Sequence, residues 1–350
     1  MKTEVSPSFD ALYYSFYDLG LRRVIGRHSL RYTAKGFPVL GHHGLAFRRA
    51  SDGARVFISA SDGSALNQTA LDWCDLYAKI NVDSAVTAAD PQGGKVVPIG
   101  PSFAVRAWAP LGATLLSLAR LARGRRLIGD PAEHLKNYVR QWRHRLPEAA
   151  YRPGRSQPDY AFFMASLWKK EGAINEARAN FLRAARRAPG LTFEGGFAPR
   201  AGGDVPGFED LTAESRLPLK EYVARMKRSV VAFNTPAVSH CLGWKLAEFL
   251  ALGKAIISTP LARELPAPLE HGRHVHYVDG SEGEVREALE ILRRDHAYRA
   301  KLEQNARGYY ETHLEPEAVI ERLLHLPLPL RPAGAREDVR TRVRESGTSG

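Results

Sequence analysis

The sequence predicts an α/β protein of two domains, on three observations. Short apolar, β-branched runs alternate with amphipathic helical patterns along most of the chain. The length of 350 residues exceeds what a single hydrophobic core usually serves. A content of 44% hydrophobic and 25% charged residues is typical of globular proteins and excludes a fibrous or disordered chain. The turn-rich run YRPGRSQPD separates the two halves, so we place the domain boundary at residue 150.

The first half contains short runs with strand character and helical patterns between and after them. The clearest strands are predicted at residues 55–59, 76–82 and 96–99. A helix is predicted over residues 130–145, because Asp130 suits an N-cap and Pro131 suits the first helical turn. Leucines alternate with arginines over residues 113–128, which predicts a basic amphipathic helix.

The second half alternates more regularly. Strands are predicted at residues 160–168, 191–194, 229–234 and 255–259, and helices at 175–187, 218–228, 244–252, 284–294 and 298–311. Strand, helix and strand follow one another closely between residues 229 and 259, with Gly253 ending the helix. This spacing predicts a βαβ unit in a parallel sheet. Residues 331–350 lack apolar periodicity and are predicted to form a disordered tail.

The net charge and the cysteine content limit the possible classes of partner and the cellular compartment. The net charge of +12 favours anionic partners, whether nucleotides, nucleic acid or an anionic membrane surface. The two cysteines, Cys74 and Cys241, are too few for a disulfide framework and have no zinc-site spacing, which favours a reducing, cytoplasmic compartment. We see no secretory signal and no apolar run long enough to span a bilayer.

The run SHCLGWKLAEFLALGKAIIST holds the candidate ligand site. Lys245 and Glu248 share a face of an otherwise apolar helix that directly follows a predicted strand. The N-terminus of such a helix attracts anions, and Gly243 permits close approach of a phosphate to the backbone. A nucleoside diphosphate fits this set, with its phosphates at the helix start and its ribose at Glu248.

The same run resembles the donor-binding segment of group 1 glycosyltransferases of the GT-B fold, especially their spore-maturation-like bacterial branch. The resemblance continues in SLWKKEGAINEARANFLRAAR, LTFEGGF, ELPAPLEHGRHVHYVD and KLEQNARGYYETHLEPEAVIERLL, and covers nearly all of residues 157–326. It implies two Rossmann-like domains facing across a cleft. Residues 1–150 would form the acceptor-side domain and residues 151–330 the nucleotide-sugar-binding domain.

The resemblance implies an enzyme that moves a sugar from a nucleotide sugar to a glycan or lipid-linked acceptor, in polysaccharide biosynthesis and without a bound metal. Glu248 matches the residue that holds the donor ribose, and Gly243 and Lys245, with Trp244 between them, match the phosphate region. His240 stands where retaining members carry a second glutamate, which puts retention in doubt. Further donor-side candidates are Lys169 and Lys170, which follow Trp168, and the glycines of EGGF, Gly195 and Gly196.

Structural alternatives stand beside these assignments. Glu248 would otherwise pair with Lys245 on an exposed helix face, His240 would make an ordinary loop hydrogen bond, and EGGF would be only a turn. For Arg178 two roles remain open, orienting a phosphate or flanking its helix, whereas Asn175 is favoured as an N-cap. His274 and His276 share a strand face without completing a recognisable ligand set, so no metal is expected.

In the first domain the candidate general bases for an acceptor are Asp18, in the aromatic run YYSFYDLGLRR, and His42 and His43, in a GHHG turn. Residues 113–128 are either a surface helix with its leucines in the core or a contact to an anionic membrane or lipid-linked acceptor. Two other functions remain open: a nucleotide-sugar epimerase and a basic nucleic-acid-binding protein. We expect no nucleic-acid partner, since no recognition helix or aromatic stacking sheet is evident.

Overall fold

The computed structural model describes residues 2–40, 44–200 and 205–328. The first domain is built on a mixed six-stranded sheet in the order β2-β1-β3-β4-β5-β6. Its strands are β1 Thr3–Val5, β2 Leu30–Tyr32, β3 Leu45–Arg48, β4 Arg55–Ser59, β5 Leu76–Lys79 and β6 Val96–Pro98. Strand β3 is antiparallel to both of its neighbours, and β4, β5 and β6 are parallel to one another. The C-terminal ends of β4 and β5 therefore lie at the same edge of the sheet.

Five helices accompany this sheet in the described residues: α1 Ala11–Val24, α2 Gln68–Trp73, α3 Ser84–Ala89, α4 Pro110–Gly124 and α5 Pro131–His144. The start of α5 confirms the predicted cap, because Oδ1 of Asp130 accepts a hydrogen bond from the backbone N–H of Glu133 at 2.9 Å. Helices α4 and α5 pack against each other, and α1 lies against α5.

Among its described residues the second domain has five parallel strands: β7 Tyr160–Ala165, β8 Thr192–Phe197, β9 Ala232–Asn234, β10 Ile256–Ser258 and β11 His276–Tyr277. Regular pairing joins β7 to β8 and β9 through β10 to β11. The N–H of Val230, just before β9, donates to the carbonyl of Tyr160 at 2.8 Å and brings β9 alongside β7. The order is therefore β8-β7-β9-β10-β11, that of a flavodoxin-like doubly wound domain.

The helices of this half are α6 Gly172–Arg187, α7 Leu219–Arg228, α8 Trp244–Ala251, α9 Glu282–Arg294, α10 His296–Tyr309 and α11 Pro316–His325. Strands β9 and β10 run parallel on either side of α8, which confirms the predicted βαβ unit. Gly253 follows α8 with a φ of 58°, a left-handed conformation that ends helices at little cost for glycine. The α/β class and the two-domain organisation are confirmed.

Helix α11 belongs by sequence to the second half but packs on the first domain. It lies against α1, where a side chain at Gly20 would meet the carbonyl oxygen of Pro316 at 2.3 Å. The guanidinium of Arg49 donates to the carbonyls of Leu323 and Leu326 at the C-terminal end of α11. The chain thus returns to its first domain after completing the second.

One local prediction was wrong, and one alternative is excluded. Asn175 is not an N-cap, because α6 begins three residues earlier; its side chain instead holds the backbone N–H and carbonyl of Trp168 at 3.0 and 2.7 Å. The EGGF run is not a turn, because β8 continues to Phe197. The predicted tail at residues 331–350 lies outside the described residues.

Candidate functional site

A pocket of about 360 Å³ lies where the strand order of the second domain reverses, at the C-terminal ends of β7 and β9. Ligands of open α/β sheets bind at this topological position, because the chain leaves the two strands in opposite directions and opens a crevice. The second domain lines it with Phe163, Ala165, Ser166, Trp168, Arg178, Phe233, Asn234, Thr235, Ala237, Val238, Cys241, Leu242, Gly243, Trp244 and Lys245. The first domain contributes Tyr13, Asp62 and Arg145, so the pocket lies in a cleft between the domains.

Arg178 is the buried cation of this pocket. It extends from α6 and is 6% exposed. Its guanidinium donates to Oγ1 of Thr235 at 2.9 Å, to the carbonyl of Ser166 at 2.9 Å and to the carbonyl of Pro236 at 3.2 Å. In the described part of the chain no carboxylate lies within ion-pair distance of it, and burial lowers its pKa to about 10 against the opposing effects of Cys241 and Glu171. A buried charge held only by neutral oxygens favours a bound anion.

The N-terminus of α8 faces the same space. Gly243 occupies the N-cap position and lines the pocket together with Trp244 and Lys245. No side chain caps this helix end. The first backbone N–H groups of a helix have no acceptor within the helix, and the helix dipole makes them attractive to negative charge.

An aromatic and cationic wall connects the two domains across the pocket. The ring of Trp244 lies edge-on to that of Tyr13, with centroids 5.3 Å apart, and the Arg145 guanidinium lies 4.9 Å from the Trp244 ring centroid. The buried Nε of Arg145 has no hydrogen-bond partner among the described residues. Arg145 is thus a second cation beside the start of α8.

Lys245 and Glu248 do share a helix face, as predicted, but they lie at different depths. Nζ of Lys245 donates to the hydroxyl of Tyr222 at 2.7 Å, and the side chain lines the pocket. Burial lowers its pKa to about 8; the charge of Glu248 opposes this shift and that of Arg178 adds to it. Arg178 and Lys245 therefore repel each other across the site.

Glu248 is 7% exposed and lies behind the pocket lining. Burial raises the pKa of its carboxyl, against the opposing charges of Lys245 and Arg145. No side chain or backbone group among the described residues hydrogen-bonds this carboxylate. The exposed-face alternative for Glu248 is therefore wrong, and a buried carboxylate without a donor is suited to ligand hydroxyls.

Asp62 faces these groups from the first domain, in the loop after β4. It lines the pocket with an exposed side chain, and partial desolvation there raises the pKa of its carboxyl. A hydrogen bond from the Cys241 thiol and the charge of Lys79 oppose that rise. An acid with a raised pKa opposite a cationic wall is suited to accept a proton.

The other donor-side predictions are not brought into the pocket. Lys169 and Lys170 are exposed beyond Trp168, and His240 is exposed on the loop before α8 with a φ of 56°. Gly195 and Gly196 lie within β8, at φ values of 110° and 155°. A Cβ at these glycines would lie 2.0 Å from the Phe163 carbonyl oxygen and 2.5 Å from that of Leu211 respectively, so close backbone packing explains both.

The prediction that Asp18 is a general base is wrong on geometry. Its carboxylate is fully buried outside the pocket, where it accepts hydrogen bonds from Arg120 at 2.5 Å, Arg22 at 2.9 Å and Tyr32 at 2.6 Å. Although burial acts to raise its pKa, the charges of Arg120 and Arg22 hold that pKa below its usual value. A carboxylate so stabilised and enclosed cannot reach an acceptor. His42 and His43 lie outside the described residues.

The sequence held partial signals for the groups it did not identify. Arg178 interrupts the buried stripe of α6 between Ile174 and Leu182, which marks a charge that needs an internal partner. Arg145 reads as an ordinary cation at the end of α5, and Asp62 reads as a turn residue in SDGS. Neither shows from sequence that it will face the other domain.

Two kinds of feature are absent from the described residues. No group of three or more His, Cys, Asp or Glu side chains is arranged to hold a metal ion. None of the helices combines the length and the apolar composition needed to cross a membrane.

The fold and pocket define a two-domain α/β protein with a cationic interdomain cleft. No family model matches the sequence, and no curated protein sequence matches it. Among solved structures, the chain is similar to Anabaena HepE in complex with UDP, at 13% identity and a TM-score of 0.43, over 76% of this chain and 70% of HepE.

It is also similar to the UDP-GlcNAc 2-epimerase of Neisseria meningitidis bound to UDP-GlcNAc, at 15% identity and a TM-score of 0.38, over 73% of this chain and 63% of the epimerase. The C-terminal domain of the group 1 glycosyl transferase LpcC from Francisella tularensis matches 47% of this chain and 89% of that domain, at 16% identity and a TM-score of 0.31. The chain thus spans less than two thirds of the epimerase.

Proposed function

We propose that this protein is a glycosyltransferase of the GT-B fold, in the spore-maturation-like branch of the group 1 type, that transfers a sugar from a nucleotide-sugar donor. The observation that carries the proposal is Arg178, a buried cation at the strand-order reversal whose described partners are all neutral oxygens. It lies beside the uncapped start of α8. A diphosphate supplies the charge that this site lacks.

The donor is assigned from the phosphates outward. Its diphosphate lies at Gly243 and the start of α8, between Arg178 and Lys245, and relieves the repulsion between those two cations. The ribose hydroxyls reach Glu248, whose buried carboxylate has no hydrogen-bond donor among the described residues. Arg145 closes the phosphate side from the first domain, against the ring of Trp244 at the start of α8. The donor makes no contact with the remaining donor-side candidates, which lie outside the pocket lining: Lys169, Lys170, His240, Gly195 and Gly196.

Asp62 takes the role that the sequence gave to Asp18, His42 or His43. In the reaction the acceptor hydroxyl loses its proton to Asp62, a bond forms from its oxygen to the donor sugar, and the bond from that sugar to the diphosphate breaks. Arg178, Lys245 and Arg145 stabilise the charge that develops on the leaving diphosphate. This chemistry requires no metal, and a cytoplasmic location supplies the nucleotide sugar.

A glycan or lipid-linked acceptor and peripheral contact with an anionic membrane through residues 113–128 belong to the same proposal. Helix α4 exposes Leu111, Leu115 and Leu118 by 73, 60 and 51%. No acidic residue occurs between Asp90 and Asp130. An apolar row in a basic surface suits the interface of an anionic bilayer. Arg120 takes no part in this face, because it is buried with Asp18.

A panel of nucleotide sugars tests the proposal by thermal stabilisation, since a ligand bound only by the native state raises the midpoint of unfolding. We expect one donor class to stabilise the protein and to be consumed only when an acceptor is added. Consumption of the donor without an acceptor would indicate an epimerase instead. Stabilisation by nucleic acid with no response to any nucleotide sugar would contradict the proposal.

A further inference from the structure

Three consecutive residues after β5 each form a hydrogen bond or an ion pair with the second domain. Oδ1 of Asn81 accepts from the N–H of Leu242 at 2.7 Å, and the carbonyl of Val82 accepts from the N–H of Glu264 at 3.0 Å. The carboxylate of Asp83 forms an ion pair with Arg263. We call residues 81–83 the interdomain clasp. Because Leu242 directly precedes Gly243, the clasp reaches the loop that begins α8.

The first residue of the clasp also holds the loop that carries Asp62. Nδ2 of Asn81 donates to the carbonyl of Ser61 at 2.8 Å, and Nζ of Lys79 donates to Oγ of the same serine at 2.8 Å. Asn81 is 1% exposed and Lys79 is fully buried. One amide side chain therefore joins the residue before Asp62 to the residue before Gly243.

We propose that Asn81 and Lys79 are positioning residues that fix Asp62 relative to the start of α8. The inference rests on the proposed function, because it takes Asp62 as the base and the start of α8 as the diphosphate site. The hydrogen bond of Asn81 to Ser61 lies within the first domain, and the one from Leu242 crosses the cleft, so a single side chain sets the loop of Asp62 against the loop before α8. Small misplacement of reacting groups costs large factors in rate, so the clasp acts on turnover more than on donor affinity.

Lys79 adds an electrostatic role. Asp62 and Lys79 act on each other. Cys241 also acts on Asp62, and Arg263 also acts on Lys79. Burial lowers the pKa of Lys79 to about 8, with Arg263 adding to the shift and Asp62 opposing it. In its charged form Lys79 favours ionised Asp62. Loss of that charge raises the pKa of Asp62 further.

Asn81→Asp tests the positioning role. The variant keeps an acceptor for the Leu242 N–H but loses the donor to the Ser61 carbonyl. We expect kcat to fall by roughly 10- to 100-fold, with donor affinity by calorimetry within about twofold of wild type. Unchanged kcat in a folded variant would overturn the inference, as would a loss of donor affinity that equals the loss of kcat.

Lys79→Met provides an independent readout that a purely structural residue would not alter. The acid limb of the pH profile of kcat/KM is expected to move to higher pH, because Asp62 loses the charge that favours its ionised form. Lys95→Met is the matched control, since Nζ of Lys95 bonds the Leu71 carbonyl in the same domain and does not act on Asp62. An unmoved acid limb in Lys79→Met would overturn the inference. If wild type binds no nucleotide sugar, the proposed function itself fails.

Discussion

The guanidinium Nε of Arg178 donates to Oγ1 of Thr235 at 2.9 Å, which joins α6 to the end of β9 across the point where the strand order reverses. This contact places a buried positive charge beside the start of α8, where helix geometry already favours an anion. The site follows from this relationship: the fold makes the crevice, and Arg178 gives it its charge preference.

Substitutions at Asp18 and Asp62 are expected to change different properties, the stability of the fold at Asp18 and the activity at Asp62. Asp18→Asn leaves Arg120 buried without its carboxylate and should lower the free energy of unfolding by about 3–5 kcal/mol, measured by urea denaturation. Asp62→Asn should leave that free energy within about 0.5 kcal/mol of wild type, because its side chain is at the surface of the cleft, and should abolish transfer. Full activity in Asp62→Asn would contradict its role as the base.

Because Asp18 has a lowered pKa in the folded protein, its contribution to stability has a definite pH window. The contribution is fully present above the pKa of an unfolded aspartate, near ~4, and is lost as the pH falls through the folded pKa. Unfolding free energies of wild type and Asp18→Asn should therefore converge as the solution is acidified. A constant difference down to the lowest accessible pH would contradict the ion-pair assignment.

Donor affinity is expected to depend on pH through Lys245. Its pKa of about 8 in the free protein rises when a diphosphate binds, because the anion favours the charged amine. Binding should therefore be strongest below pH 8 and weaken as the pH rises through 8, by at most about tenfold per pH unit.

A nucleotide sugar is the right probe for that titration, since it lacks the terminal phosphate that ionises near pH ~6. Calorimetry of Lys245→Met should show weaker binding with a flat profile between pH 7 and 9. Glu248 and Arg178 are the charged groups that act on Lys245, and both remain in that variant. A slope that persists in Lys245→Met would assign the titration to another group.

Glu248 is expected to select ribose hydroxyls. Glu248→Gln should weaken binding of a ribonucleoside diphosphate by roughly 10-fold, in keeping with the loss of a charged hydrogen-bond acceptor, and leave binding of its 2′,3′-dideoxy analogue nearly unchanged. Competition experiments with the two nucleotides measure this selectivity. Equal weakening of both would show that Glu248 supports the site without contacting the sugar.

The exposed leucines of α4 are expected to carry membrane contact. Replacing Leu111, Leu115 and Leu118 together by serine should abolish flotation with phosphatidylglycerol vesicles. Vesicles of phosphatidylcholine alone should recover little wild-type protein, because they lack the anionic surface. The charge control is Arg286→Gln with Arg294→Gln, two exposed arginines of α9 that should have no effect. Undiminished flotation of the leucine variant would remove α4 from the proposal.

The sequence predicted the βαβ unit around α8 because its apolar, β-branched strands and its glycine stop are local signals. It did not predict β1, β2 or β3, because TEV, LRY and LAFR each include a charged residue and lack the continuous apolar run that marks the strands beside α8. The sequence pointed to Asp18 and not to Asp62 for a physical reason. Which aspartate faces the cleft depends on contacts between distant segments, such as Asp18 with Arg120.

Arg178 shows the same limit within the site. Its position in the apolar stripe of α6 marked a buried charge, but the neutral partners Thr235, Ser166 and Pro236 come from other segments of the fold. Glu248 and Lys245 were placed on one face by helix periodicity alone. Their different depths depend on the packing of Tyr222 and on the pocket wall.

Calorimetry of nucleotide-sugar binding to wild type, Arg178→Gln and Arg183→Gln tests the central claim most directly. Arg183 is the matched control, because it lies on the same helix but pairs with Glu176 away from the pocket. Loss of the buried cation should weaken binding at least 100-fold in Arg178→Gln, on the scale of a charged hydrogen-bonded contact, with Arg183→Gln unchanged. Equal affinity in all three proteins would contradict the assignment of the diphosphate to this cleft.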